Sequence, residues 1–297
     1  MMPVLLSALL LLHGAIALPA SSLHETSYDS DVSTHTIPNT PAAIWQPPLG
    51  TDWEIVLLSP PTTYDDKVAI YDLDVWDNPK ETVGSRHAKG QKVVCYFSAG
   101  TWESWRPDAS QFPDEVLGNN LEKWSGGENV ERWLDIRAGV VRAAMRARIA
   151  NAQEKGCDAV DPDNVDIHDN DNGFSLSAND SLDYVQWLII EAHRRGMAFG
   201  LKNAPDILPS IMTNIQFAVN EECVQKGDCH LYDSFVAAKK PVLHIEYPKG
   251  DDSNNDPVPG EEMAAACAFM QSHRFSTLIK NMDLDEWVQH CRTMLSV

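Results

Sequence analysis

The chain has 297 residues, 43% of them hydrophobic, enough apolar material to fill one large core. Asp and Glu number 43 against 23 Lys and Arg, a formal net charge of -20. That balance argues against a nucleic-acid partner, whose phosphates require Lys and Arg, and suits a neutral or cationic one.

The first residues read as a secretory signal. Val4–Leu12 is mostly apolar, and Ala15-Ile16-Ala17 forms an A-x-A cleavage site, so residues 1–17 are assigned as signal peptide. The apolar run is too short for a membrane span and no later stretch qualifies, so the product is expected to be extracellular and monomeric, with no membrane segment. Residues 18–43, rich in Ser, Thr, His, Asp and Pro, read as a flexible leader, and 44–297 as the folded domain. Six cysteines in a secreted chain point to disulfides. Cys223 and Cys229 are close enough to close a small loop, and Cys267 with Cys291 can staple the C-terminus. Cys95 and Cys157 lie in apolar strand runs and read as buried thiols. Asn179-Asp180-Ser181 is a glycosylation sequon.

Order is expected from Trp45, with an opening segment that includes one short strand at 53–58. Eight strand candidates follow, at 68–73, 92–98, 133–136, 157–161, 197–202, 216–220, 241–246 and 275–279. Their apolar runs are continuous rather than alternating, as in strands buried on both faces. Pro162 should end the fourth, because it cannot donate to a sheet ladder. Helical stretches lie between them: 138–155 stopped by Gly156, 180–195 stopped by Gly196, and others at 79–89, 205–213, 229–239, 260–273 and 283–295. The pattern predicts a (β/α)8 TIM barrel with a short N-terminal extension. An open doubly wound sheet is the weaker alternative, since no G-x-G-x-x-G follows the first strand.

A barrel places its chemistry at the C-terminal ends of its strands, and polar residues gather there. They are Asp72 and Asp74; Tyr96 and Ser98, followed by Gly100, Trp102, Glu103 and Arg106; Asp135 and Arg137; Asp161, Asp163, Asn164 and Asp166; Lys202 and Asn203; Asn220, Glu221 and Glu222; His244, Glu246 and Tyr247; Lys280 and Asn281. Opposed carboxylates are the machinery of glycoside hydrolysis. The fourth and sixth strands lie two apart in a barrel, which favours Asp163 with Glu221 or Glu222. Tyr96, Trp102, Trp105 and Tyr247 can serve as platforms for sugar rings or simply pack. No H-E-x-x-H, G-x-S-x-G or G-x-x-x-x-G-K-S/T occurs, so neither metal nor cofactor is expected. His244 reads as a satisfied core histidine. Lys202 allows a Schiff-base carbonyl enzyme as a minor alternative, and a non-catalytic polysaccharide-binding barrel is another.

The runs YDLDVWDNP (71–79), VVCYFSAGTWESWRPD (93–108), WLDIR (133–137), GCDAVDPDNVD (156–166), GLKNAP (200–205) and VNEEC (219–223) resemble glycoside hydrolase family 114, the endo-α-1,4-polygalactosaminidases, and its fungal secreted members in particular. The resemblance runs from Trp45 to the C-terminus. It implies a (β/α)8 barrel that cleaves α-1,4-linked galactosamine polymers, including galactosaminogalactan. It also implies Asp163 as nucleophile and Glu221 as acid/base, with Asp161 and Glu222 as the adjacent alternatives. Similar α-galactoside-cleaving barrels imply retention of configuration. Two close carboxylates predict that the acid's pKa rises toward the working pH. Such polymers are cationic once deacetylated, which fits the surplus of acids around the predicted mouth.

Overall fold

The computed structural model describes residues 43–121 and 129–291. These lie in one compact unit, Thr40–Val297. The expected signal peptide and, but for its last residue, the leader fall outside the described residues.

The elements in chain order are β1 (Trp53–Val56), β2 (Ile70–Asp74), α1 (Lys80–His87), β3 (Lys92–Ser98), β4 (Thr101–Glu103), β5 (Leu117–Asn120), β6 (Glu131–Leu134), α2 (Gly139–Lys155), β7 (Ala159–Asp163), α3 (Ala178–His193), β8 (Ala198–Lys202), α4 (Leu208–Ile211), β9 (Phe217–Glu221), α5 (Cys223–Lys226), α6 (Asp233–Ala237), β10 (Val242–Glu246), α7 (Gly260–His273), β11 (Ser276–Lys280) and β12 (Val288–His290). Eight strands run parallel in the order β1-β2-β3-β7-β8-β9-β10-β11, and β12 adds to the last of them antiparallel. The sheet curls until its ends meet. Trp53 Nε1 donates to the carbonyl of Ser276 at 2.7 Å, and Lys280 Nζ reaches Glu54 at 2.8 Å. This is the expected (β/α)8 barrel.

Two apolar layers hold it. The barrel lumen is filled by Trp53, Ile55, Ile70, Val94, Ala159, Phe217, Val219 and Leu243 among others. A larger layer between sheet and helices contains Leu73, Phe97, Val160, Leu188 and Phe199. Strand residues therefore alternate between two buried faces, which is why their sequences read as unbroken apolar runs.

Three expectations are corrected. The run 133–136 is not a barrel strand: β6 sits between β4 and β5 in a separate antiparallel sheet inserted after β3. The place it vacates is taken at the start of the chain, where 53–56 is the first barrel strand, so the fourth and sixth barrel strands remain those carrying Asp163 and Glu221. The stretch 283–295 holds the short strand β12 where a helix was expected. Pro162 does not end β7. That strand pairs with β3 through Asp163, but its pairing with β8 stops at Val160, so the missing donor falls beyond the β8 ladder.

All three cysteine pairs are bridged: Cys223–Cys229, Cys267–Cys291 and Cys95–Cys157. The first two were expected. Cys95 and Cys157 were read as thiols, because a single strand shows its own burial but not the side chain across from it.

Candidate active site

The mouth of the barrel is built by alternation. Lumen-facing positions on β7 run Ala159, Asp161, Asp163, so one acid stands two residues above another. Asp161 is fully buried, whereas Asp163 is partly open. On β9 the same alternation turns Glu221 inward. Asn220 turns to the helical layer, where it meets Tyr232. Glu222 takes a left-handed backbone (φ 64°) at the start of α5 and pairs with Lys226 at 3.4 Å.

Between these strands, on β8, stands Lys202, 1% exposed. Its Nζ lies 3.1 Å from Asp161 and 3.8 Å from Asp163. Tyr96 donates to Asp163 Oδ2 at 2.9 Å. Tyr247 donates to Glu221 Oε1 at 2.5 Å, and Asn203 Nδ2 donates to Oε2 at 3.0 Å. Seven of the expected site residues thus share one cluster: Tyr96, Asp161, Asp163 and Lys202 in one bonded group and Asn203, Glu221 and Tyr247 in another, with the Lys202 charge acting on both. Asp72 joins it from β2: neither of its oxygens meets a hydrogen-bonding donor, although it is wholly buried.

One lysine among four acids sets the protonation. Burial, then the Asp161 charge, pushes Asp72 well above the usual carboxylate range. Burial lifts Asp161 to about 6 against the pull of Lys202. Burial also raises Asp163, helped by the Glu221 charge and opposed by Lys202. Glu221 differs: burial raises it, but Lys202, Tyr247 and Asn203 together outweigh burial and hold it below its usual range. The expectation that Glu221 is the acid pushed upward is therefore not met: the raised member of the pair is Asp163. Asp166, on the loop after β7, is raised to about 6 by burial and by the Asp163 charge.

Other expected site residues are engaged elsewhere. Glu246 belongs to the outer layer, 1% exposed, where it accepts from Val224 N at 2.7 Å and meets His244 Nε2 at 2.8 Å. It was placed in the cleft on the assumption that every polar residue at a strand end faces the lumen, and the pleat turns it away. His244 is the satisfied core histidine expected, with Thr277 on its other nitrogen at 3.0 Å. Asp74 and Arg106 hold each other at 2.6 Å, and Arg106 also grips Glu103 at 2.8 Å. They fasten the insert to β2 and are not free for a ligand. Trp102 lies on the face of the insert opposite Glu103, its Nε1 donating to the carbonyl of Ala109 at 3.0 Å. Asp135 and Arg137 pair with each other at 2.8 Å on the surface. Asn179 is exposed in the first turn of α3.

Ser98, Gly100 and Asn164 were expected at the strand ends, but sequence reasoning missed Thr101 and Glu131, which complete the support beneath Asp163. Asn164 Nδ2 donates to Ser98 Oγ at 3.0 Å, Ser98 meets Thr101 Oγ1, and Thr101 donates to Glu131. The carbonyl of Asp163 accepts from the backbone of Ala99 at 2.9 Å and Gly100 at 3.1 Å. A Cβ on Gly100 would stand 1.7 Å from the carbonyl oxygen of Asn164, so only glycine permits this approach. Burial, with Glu103 and Asp163 nearby, lifts Glu131 to about 7 although the Thr101 donor lowers it. Beneath the insert, Arg148 of α2 is 1% exposed and clasps Asp108 through two bonds of 2.8 Å while donating to the carbonyl of Ser98 at 2.6 Å. Reading β6 as a barrel strand hid Glu131, which reaches the site only through the antiparallel pairing with β4.

Two carboxylates with separate hydrogen-bonding partners, at the ends of barrel strands two apart, can divide nucleophile and proton-transfer roles. The whole-chain comparison agrees with this chemistry: residues 34–296 match glycoside-hydrolase family GH114.

The chain belongs to family GH114.

Among solved structures, Ega3 of Aspergillus fumigatus in complex with galactosamine is 48% identical, with a TM-score of 0.81 over 85% of this chain and 100% of that one. The glycoside hydrolase domain of PelA from Pseudomonas aeruginosa shares the fold at 15% identity and a TM-score of 0.61, over 80% of this GH114 chain and 98% of that chain. An α-galactosidase from Thermus thermophilus shares it at 13% identity and a TM-score of 0.54, over 82% and 59%. No curated protein matches. The GH114 chain is thus a glycoside hydrolase on a (β/α)8 barrel. No helix among the described residues is long and apolar enough to cross a membrane.

Proposed function

We propose that the protein is a secreted, endo-acting hydrolase of α-1,4-linked galactosamine polymers. The observation that carries the reading is the Asp163–Lys202–Glu221 constellation in a chain 48% identical to a protein crystallised with galactosamine. Three disulfides fit an oxidising compartment. A net charge of -20 fits a cationic chain as substrate.

Asp163 attacks the anomeric carbon and forms a glycosyl ester while Glu221 protonates the leaving oxygen. Glu221 then takes a proton from water, which hydrolyses the ester with overall retention. Lys202 keeps Asp163 ionisable despite burial, and the wholly buried Asp72 and Asp161 lie beneath the pair, out of reach of the sugar. A second reading exchanges the two roles. The donors on Glu221 favour it, because they stabilise the carboxylate form that a nucleophile needs.

The test has two arms. Deacetylated galactosaminogalactan should give short galactosamine oligomers by mass spectrometry, and chitosan, with its β-linked glucosamine, should not; inertness toward both sinks the substrate. On an activated aryl oligosaccharide, azide should rescue Asp163→Ala with an inverted glycosyl azide and Glu221→Ala with a retained one. The opposite pairing of products establishes the exchanged roles.

A further inference from the structure

Two loops leave the mouth side of neighbouring strands: the insert after β3 and the segment from Asn164 to Ser177 after β7. Between them lies a groove of 770 Å³ lined by Gly118, Asn119, Asn120, Trp133, Asn170 and Asp171, within the roughly 300–1,000 Å³ range of small-molecule sites. Its walls are tied together, with Asn119 N donating to the carbonyl of Asn172 at 3.2 Å and Asn119 Nδ2 to Asp171 Oδ1 at 2.9 Å. It also adjoins the catalytic mouth. Asn170 Nδ2 donates to the carbonyl of Asp166 at 3.1 Å, and Asp166 is close enough to Asp163 and Glu221 to feel both charges.

The chemistry of the groove contrasts with that of the mouth. The mouth presents carboxylates around one lysine, whereas the groove presents three exposed asparagine side chains beside Leu121, with the buried Trp133 beneath. Its single carboxylate already accepts from Asn119. Amides both donate and accept, which matches hydroxyl and acetamido groups; ionised carboxylates only accept, which matches ammonium.

We propose that this groove is a rim subsite that binds neutral units, N-acetylated or lacking an amine, of the same polymer whose cationic units enter the mouth. The inference rests on the proposed function and assigns the enzyme a chain of mixed acetylation. The rim subsite anchors neutral stretches and the mouth cleaves beside them.

Asn120 is exposed and takes no part in the catalytic cluster, so Asn120→Trp fills the groove without disturbing the core. KM and kcat are measured for three substrates: a short aryl galactosaminide, a fully deacetylated hexamer, and a hexamer acetylated at both ends. Losing one or two hydrogen bonds should raise the KM of the variant about tenfold on the acetyl-ended hexamer alone, with kcat and the other two substrates unchanged. An unchanged KM on that hexamer, or an equal rise on the fully deacetylated one, overturns the proposal. Calorimetry with N-acetylgalactosamine oligomers provides an arm independent of turnover, in which the wild type should bind and Asn120→Trp should not. If the wild type cleaves no galactosamine chain, the proposed function falls; if it cleaves them but binds no neutral oligomer, only the rim subsite falls.

Discussion

Tyr247→Phe separates the roles of the two carboxylates better than removing either. The phenol is 2% exposed and donates to Glu221 Oε1 at 2.5 Å, and among the described residues only Asn203 supplies another direct donor to that carboxylate. A hydrogen bond to a charged group contributes about 1.5–3 kcal/mol, and all of it acts on the ionised form. Losing it therefore moves the titration of Glu221 upward. If Glu221 works protonated, as the general acid, the alkaline limb of kcat/KM should move to higher pH. If it works ionised, as the nucleophile, the acid limb should move to higher pH instead. Stability gives a second readout. A carboxylate held low in the fold contributes fully above its unfolded pKa, and that contribution is lost as pH falls through the folded value. The variant should therefore melt lower than wild type at pH 7, and the gap should close in acid. Measuring both profiles on an activated aryl substrate, with melting curves from pH 3 to pH 8, decides the matter. Superimposable pH–rate profiles would mean that this bond does not govern Glu221 during turnover, and the electrostatic argument would fail.

Asp163→Asn and Glu221→Gln should each abolish turnover on polymer while leaving binding intact, and the loss for Glu221→Gln should be smaller when the leaving group needs no proton. Asp166, raised to about 6, opposes folding progressively as it ionises between pH 4 and 6. Asp166→Asn should accordingly melt higher than wild type at pH 7 and equal it near pH 4; a variant that melts lower at pH 7 refutes the burial argument. Gly100→Ala forces the insert away from Asn164 and should cost about 1–3 kcal/mol in chemical denaturation together with most of the activity, whereas Gly84→Ala, in open space on α1, should cost neither. By loop-closure entropy, opening Cys95–Cys157, 62 residues apart, should cost about 4 kcal/mol, and Cys223–Cys229, 6 apart, about 2 kcal/mol. Only the second bridge adjoins Glu221, so it should be the one whose loss also lowers kcat.

Much of the molecule is legible in its sequence because barrel strands advertise themselves locally. Continuous apolar runs ending in acids mark β7 and β9, and the two-residue alternation along each determines that Asp163 and Glu221 face the lumen. Helix ends are equally local: Gly156, with φ 91°, closes α2 where it was expected to. What only the tertiary structure decided depends on partners distant along the chain. The run 133–136 is as apolar as a barrel strand, and whether it pairs with β4 and β5 or with a barrel neighbour is a choice among partners that the run does not encode. The same holds for Cys95 and Cys157, joined only because β3 and β7 are neighbours, and for Glu246, turned outward by the pleat. Charge state is the most collective property. Glu221 is held low by Lys202, Asn203 and Tyr247, whereas Asp163 is raised by burial and the Glu221 charge against the pull of Lys202 and Tyr96, and these four partners come from three different strand ends. Burial and Coulomb interactions sum over distance in space, so a carboxylate's place in the chain shows which wall it stands on but not which form it takes there.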